Sequence, residues 1–345
     1  MRRADRPAHG QGPAPRATGP PETPVAGGSH EPWLSVVIVV GPRRERAAAA
    51  LESVLAQSIV EHLEVMLVDC ESPTAPRVAG SEHPAVRVLH LPPGAHFGSA
   101  RALATAAARA PAVAFLEEHA RALPGWADAV VRAHRGPWAG VGYEVHNGNP
   151  GSGRSDIQGV MSYGLFAPPL TGGESRLLSG HNCAYKRDVL LSFGDRLGGL
   201  LLIDNVLQKV LLSTGHRFFL EPGAKIAHRN EVSLRSAARG YAAFHRAFGS
   251  ARSHEGGWPL LRRAAYVILA PAIPLYFIVH LTRTLSRRRS PQLRLFLRNL
   301  PYVYLIQLVA ALAQAVGIVF GPGASAGRFS RFEVAEPRPQ RGQPE

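Results

Sequence analysis

Short apolar runs, each closed by a polar residue and separated from the next by a helix-like stretch, constrain this chain more than any other feature. The first, "WLSVVIVV", begins at Trp33, is rich in β-branched residues and stops at Gly41-Pro42. A run with no polar alternation reads as a strand buried on both faces, the mark of a parallel sheet. "LEVMLVD" is a second such run ending in Asp69, "VRVLHL" a third and "AVAFLEE" a fourth. Between them, "RRERAAAALESVLAQS" sets Ala47, Leu51, Val54 and Leu55 at helical spacing with arginines on the other face, and "GSARALATAAARA" reads as a helix packed through its alanines. The alternation predicts an α/β fold, a mostly parallel Rossmann-like sheet with helices on both faces, and ligands lying off the carboxyl ends of the strands. Asp69 and the cluster Glu117, Glu118 and His119 fall at such ends. A lone carboxylate finishing a buried strand is costly without a partner, which singles out Asp69.

Further along, residues 143–179 are weakly patterned and read as loops crossing the site plus a short helix. "LLIDNVLQKVLLSTGHRFFLEPGAKIAHRN" predicts an apolar helix closed by Gly215, then a strand ending near His228. Residues 1–32, rich in Pro, Gly and Ala without an apolar run, are expected to be a disordered tail. They contain no apolar core of a secretory signal, so the folded portion is expected to stay in the cytoplasm. Cys70 and Cys183 are too few for a disulfide framework and read as small apolar fillers.

Lys and Arg total 39 against 25 Asp and Glu, a net charge of +14, and the cations are mostly arginine. Nucleic acid or an anionic membrane surface would suit that charge. The arginines gather around two apolar C-terminal stretches and the tails instead of forming a stripe interleaved with aromatics, so anionic lipid is the expected partner and nucleic acid is not. Residues 264–281 carry no charged side chain and would be about 27 Å long as a helix. A second charge-free stretch runs from Asn299 to Gly327. Arg283, Arg287, Arg288, Arg289, Arg294 and Arg298 lie between the two without an acid, which conflicts with an outward crossing of the first stretch. An in-plane or re-entrant hairpin bent at Pro271 and Pro274, with both ends at the cytoplasmic face, avoids the conflict. The expected organisation is a tail to residue 32, an α/β domain over 33–250, a membrane-associated helical hairpin over 251–327 and a disordered tail over 328–345.

In order, "LSVVIVV", "ESVLAQS", "LVDCES", "GSAR", "AFLEEHARALPGW", "SGHNCAYKRDVL" and "LIDNVLQKVLLSTGHRFFLEPGAKIAH" resemble the segments of the inverting nucleotide-sugar glycosyltransferases of family 2, over about Trp33 to Arg246. "SLRSAARGYAAFHRA" is similar to the Arg-rich segment of that family's membrane-bound members. The resemblance implies the GT-A fold and transfer of a sugar from a nucleotide-diphosphate donor to a lipid-linked or cell-envelope glycan acceptor. Such a reaction needs positive charge on the departing diphosphate and a carboxylate to take the acceptor's proton. It implies donor contacts from Asp69, Glu71, Arg101, Glu117 and Glu118, metal ligation by His119 and His228, an acceptor side with Asn182 and Arg187, and Asp204 as general base.

The chain departs from the family where Glu117-Glu118-His119 replaces Asp-x-Asp, where Ile203-Asp204 replaces Glu-Asp, and where Cys70-Glu71 replaces Asp-Gly. A histidine suits Mn2+ better than Mg2+ as the divalent metal. Taken alone, each residue has a plainer reading: a polar loop for Glu117 to His119, a helix start for Asp204, a solvated helix face for Arg101, loop backbone for Asn182 and Arg187, an ordinary strand-end histidine for His228. The departures leave a second implication open, a catalytically degenerate relative serving as scaffold in an envelope-polysaccharide assembly.

Overall fold

A computed structural model describes residues 31–91, 96–231 and 233–335. All but the last two residues of the expected N-terminal tail lie outside them. The chain starts with β1 (Leu34–Val40), α1 (Arg44–Leu55), β2 (Leu63–Asp69), β3 (Val86–His90), α2 (Phe97–Ala107) and β4 (Ala112–Phe115). It continues through β5 (Ala120–Ala122), α3 (Trp126–His134), β6 (Gly140–Asn147), α4 (Gly153–Tyr163), β7 (Gly173–Ser175) and β8 (Cys183–Lys186). Then follow α5 (Arg187–Leu191), α6 (Leu197–Leu202), α7 (Asp204–Ser213) and β9 (Phe218–His228).

These strands form one sheet in the order β3-β2-β1-β4-β8-β6-β9-β5, with β7 added on β9. The pairs β1–β2, β2–β3, β1–β4 and β6–β9 are parallel and carry most of the register, while β8 enters antiparallel between β4 and β6. The expected mostly parallel α/β architecture is what forms. Every residue of β1 and β2 is buried, because helices cover both faces, whereas the edge strand β3 is half-exposed. Gly215, with φ of 87°, ends the apolar helix α7 as its sequence predicts.

Residues 143–179 hold more regular structure than loops and a short helix. They include most of β6 and the eleven-residue α4. β6 is hard to see in sequence because Gly140 and Gly142 interrupt its apolar pattern. Both are forced by packing, since a Cβ would run into Leu178 at Gly140 and into Leu220 at Gly142.

Beyond the sheet come α8 (Leu234–Glu255), α9 (Leu260–Leu269), α10 (Ile273–Arg287), α11 (Gln292–Arg298), α12 (Leu300–Phe320) and α13 (Ser325–Ala335). A tight turn at Ala270–Ala272, containing Pro271, joins α9 to α10. Leu260–Arg287 spans 28 residues at mean hydropathy 1.9 and α12 spans 21 at 2.1, so both are long and apolar enough to cross a membrane. They differ in packing. The first leaves Leu260, Leu261, Ile268 and Tyr276 mostly exposed, while α12 lies against α8. That crossing is close: a Cβ on Gly249 would strike the α12 backbone at Gln314, and one on Gly317 the α8 backbone at Arg246. Gln314 adds polar links, its Oε1 accepting from Arg252 Nη1 at 3.0 Å and Tyr266 Oη at 2.6 Å, its amide nitrogen 2.9 Å from His245 Nδ1.

Two expected boundaries therefore move. α8 runs through residue 250 without a break, and the tail expected to be disordered from 328 is helical to Ala335. Phe329 stacks obliquely on Phe244 at 5.1 Å and Phe332 packs where Gly240 leaves room, which orders the segment.

His245 is held neutral at this α8–α12 contact: burial first, then the nearby Arg252 charge, pulls its pKa down to about 4. The folded state therefore binds fewer protons than the unfolded chain below about pH 6.5, and stability falls as pH drops from there toward 4. Thermal melts across that range should show a shallower loss in His245→Gln, which can still accept from Gln314 but cannot titrate.

Candidate functional site at the carboxyl edge

Asp69 closes β2 beside the ends of β1 and β3, 3.0 Å from Arg44 Nη1, and its Oδ1 accepts the Glu71 N–H at 3.0 Å. The carboxylate that a buried strand cannot leave bare has thus found its partner on the first turn of α1. Glu71 lies half-buried in the turn after it. Glu118 is buried just past β4 and faces back toward α1. It accepts the Gly41 N–H at 3.0 Å and Arg46 Nε at 3.1 Å, tying the end of β4 to the β1–α1 turn. Next to it, a cavity of about 150 Å3 is lined by Arg46, Glu118, His119, Arg121 and Arg229. Three guanidinium groups face one carboxylate there, and burial followed by the charges of Arg121 and Arg46 lowers the pKa of Arg229.

Glu117, His119 and His228 converge on one point. β5 pairs antiparallel with β9 so that Ala120 faces His228, which carries the two histidines together although they are far apart in sequence. Their Nε2 atoms lie 3.0 Å apart, and Glu117 Oε2 is 3.1 Å from His228 Nε2 and 3.5 Å from His119 Nε2. Burial raises the Glu117 carboxyl, but the His119 charge and the His228 hydrogen bond outweigh it and hold the group well below the usual carboxylate range. Asn230 Oδ1 lies 3.0 Å from His228 Nδ1, an arrangement that orients the ring with Nε2 toward Glu117. Asn182 Nδ2 and Tyr163 Oη both donate to Glu117 Oε2, the latter at 3.3 Å, and Asn182 Oδ1 accepts the Glu117 N–H at 3.0 Å.

Asp204 begins α7 only 1% exposed, in a second cluster. Arg101 Nη1 donates to both of its oxygens at 3.0 Å and to the Leu201 carbonyl at 2.7 Å. Arg101 is itself 1% exposed, with its guanidinium 3.8 Å from the centroid of the Phe115 ring, so it is neither solvated nor turned toward open space. His181 Nδ1 lies 2.8 Å from Asp204 Oδ2. Burial lowers the His181 pKa, yet the Asp204 charge and hydrogen bond prevail and raise it above its ordinary value.

The consecutive residues His181 and Asn182 join the two clusters, one holding Asp204 and the other Glu117. Asp69, Glu117, Glu118, His119, Asn182, Asp204, Arg101 and His228 thus share the carboxyl edge of the sheet. Arg187 does not. Its N–H donates to the Pro111 carbonyl at the start of β4, so it lies at the opposite edge from the expected acceptor side. His181, Tyr163, Asn230 and Arg46 take part without having been singled out in sequence. His181 carried a signal in standing next to Asn182; the other three are tied in only by contacts distant in sequence. Burial pushes the Cys70 thiol up to about 12, ahead of the nearby carboxylates, and raises Cys183 further, in keeping with two inert fillers.

A mostly parallel sheet with carboxylates and imidazoles gathered off its carboxyl edge is the α/β arrangement expected of a GT-A-type domain. Residues 35–193 match the family described as Glycosyl transferase family 2, a span that takes in β1 to α5 and includes Asp69, Glu117, His119 and Asn182. The match supports glycosyl transfer as the general chemistry of this region, with binding of a nucleotide-sugar donor and an acceptor. No curated protein matches the chain in sequence.

Arg101→Met should test how far Asp204 depends on its partner. Removing one member of a buried ion pair costs about 3–5 kcal/mol, so chemical denaturation should show a loss of that size, and Asp204→Asn in the same background should recover part of it.

Proposed function

We propose that this chain is an inverting glycosyltransferase that moves a sugar from a nucleotide-diphosphate donor to a lipid-linked or cell-envelope glycan acceptor at the cytoplasmic face of a membrane. The convergence of Glu117 and His119, inside the segment that matches the family, with His228 at the end of β9 beyond that segment, is the observation that carries this reading. Their ligand atoms all lie within 4.8 Å of one another. Separations of 3.0, 3.1 and 3.5 Å suit neighbouring ligands about 2.1 Å from a common ion. One carboxylate oxygen and two imidazole nitrogens form a donor set that fits Mn2+ better than Mg2+. A divalent ion bound there supplies positive charge to the departing diphosphate.

The chain's own groups supply the rest. In this reading Asp69 meets the nucleoside, and Arg46, Arg121 and Arg229 add positive charge beside His119. Asn182 and Tyr163 hold Glu117 in place. Asp204, expected as the general base, acts in this reading through His181, whose imidazole takes the acceptor's proton. Arg101 occupies both Asp204 oxygens, so the carboxylate's part is to orient the His181 imidazole and stabilise its protonated form, as in other Asp-His pairs. Two apolar helices with a large exposed share, and the arginines between them, support membrane association that brings an amphiphilic acceptor to the site. The engagement of Asp69 and Glu118 by Arg44 and Arg46 favours the second reading, a degenerate scaffold, to the extent that neither carboxylate is available to a donor.

Donor hydrolysis by the purified protein with a panel of nucleotide sugars and Mn2+ separates the two. Catalysis predicts turnover that falls on the order of 10²–10⁴-fold in Asp204→Asn and loses its Mn2+ response in His119→Ala. Because the neutral His181 imidazole takes the proton, turnover should rise with pH through a midpoint above about 6.5. Absence of any nucleotide-sugar binding would leave the scaffold.

A further inference from the structure

We propose that α13 is an autoinhibitory strap that fills the place of the donor's nucleoside diphosphate, so that donor binding and strap seating exclude each other. The inference rests on the glycosyl-transfer reading and adds regulation to that site.

The strap contacts the groups that a phosphate would use. Arg46 Nη2 donates to the Val334 carbonyl at 3.1 Å and Arg43 Nε to the Ala335 carbonyl at 3.4 Å. Backbone carbonyls carry partial negative charge, and here two of them meet guanidinium groups just past the end of β1 as an anion would. The first N–H of α2, at Phe97, donates to Ser330 Oγ at 2.8 Å. A helix amino terminus of this kind is a ready anion site, and a strap hydroxyl fills it.

Shape agrees with charge. Val334 packs so closely on Gly41 that a Cβ there would strike its backbone oxygen and side chain, leaving no room for a nucleoside between the strap and the end of β1. Phe329, 3% exposed, lies 5.6 Å from the His181 ring and covers the half-buried imidazole. A donor that reached from Asp69 past Arg46 toward His119 would have to displace α13.

The connection suits a hinge. Gly321 and Gly323, with φ of 75° and 51°, flank Pro322 between α12 and α13. α12 stays fixed on α8 through the close glycine contacts, and Arg246 Nε donates to the Gly321 carbonyl at 3.1 Å, so the strap can swing from an anchored base. The seated strap lowers apparent donor affinity by the fraction of molecules in which it is open.

Titration calorimetry of full-length protein in lipid nanodiscs with UDP and with GDP, each with Mn2+, tests this in the wild type, Phe329→Ala and Ser330→Ala. Loosening the strap should tighten nucleotide binding by about tenfold, the effect of raising an open fraction from about a tenth to nearly one. Hydrogen exchange on the wild type gives a second measurement that needs no variant to fold: a saturating nucleotide should speed exchange of the α13 amides. Affinities within twofold of wild type, with α13 exchange unchanged by bound nucleotide, would overturn the strap and leave the donor site standing. Failure of every form to bind either nucleotide would overturn both, since the strap would then have nothing to exclude.

Discussion

The ion pair between Arg101 and Asp204 is the interaction on which the rest of the carboxyl edge depends. Two opposite charges, each almost wholly removed from water, are stable only if their geometry is good and the remaining donors and acceptors are met. Arg101 satisfies this by spanning both Asp204 oxygens and the Leu201 carbonyl while lying over the Phe115 ring. One contact thereby locks α2 to the start of α7 and to the end of β4. His181 is drawn to the same carboxylate, and Asn182 beside it is drawn to Glu117, so the loop before β8 transmits the position of one cluster to the other.

The same rule orders the opposite end of the site. Glu118 and Asp69 stand where strands end and water is scarce, and each takes an arginine from α1, a helix whose other face is alanine and leucine packed on the sheet. Polar groups that a nucleotide would meet are therefore held together by internal pairs before any ligand arrives. Such preorganisation lowers the cost of gathering charge at the reacting centre, although each internal partner must be exchanged or shared when the ligand binds.

The C-terminal helices fit this frame in unequal ways. α9 and α10 expose apolar surface that water does not favour. α12 is equally apolar but is held against α8 by the closeness that Gly249 and Gly317 allow and by Gln314, a polar residue inside an otherwise greasy helix. α13 then returns over the carboxyl edge of the sheet, where Val334 packs on Gly41 just past the first strand.

Strands β1 to β4 and β9, several helices and the residues at those strand ends were legible in the sequence, because unbroken apolar runs and period-3.6 burial leave local patterns that need no knowledge of the partner. Asp69, Glu117 and His119 were readable for that reason, and His228 from its place at the end of a strand. β6 escaped because packing demanded glycines in it, and α13 because a short helix with few apolar residues is ordered only by what it packs against. Tertiary structure alone decided that Arg101 is buried on Asp204, that His181 joins them, that Arg187 lies at the far edge and that His119 meets His228. Apart from His181 with Asp204, those contacts join residues from about 80 to more than 100 positions apart, set by strand order and long-range packing, and no local spacing encodes them.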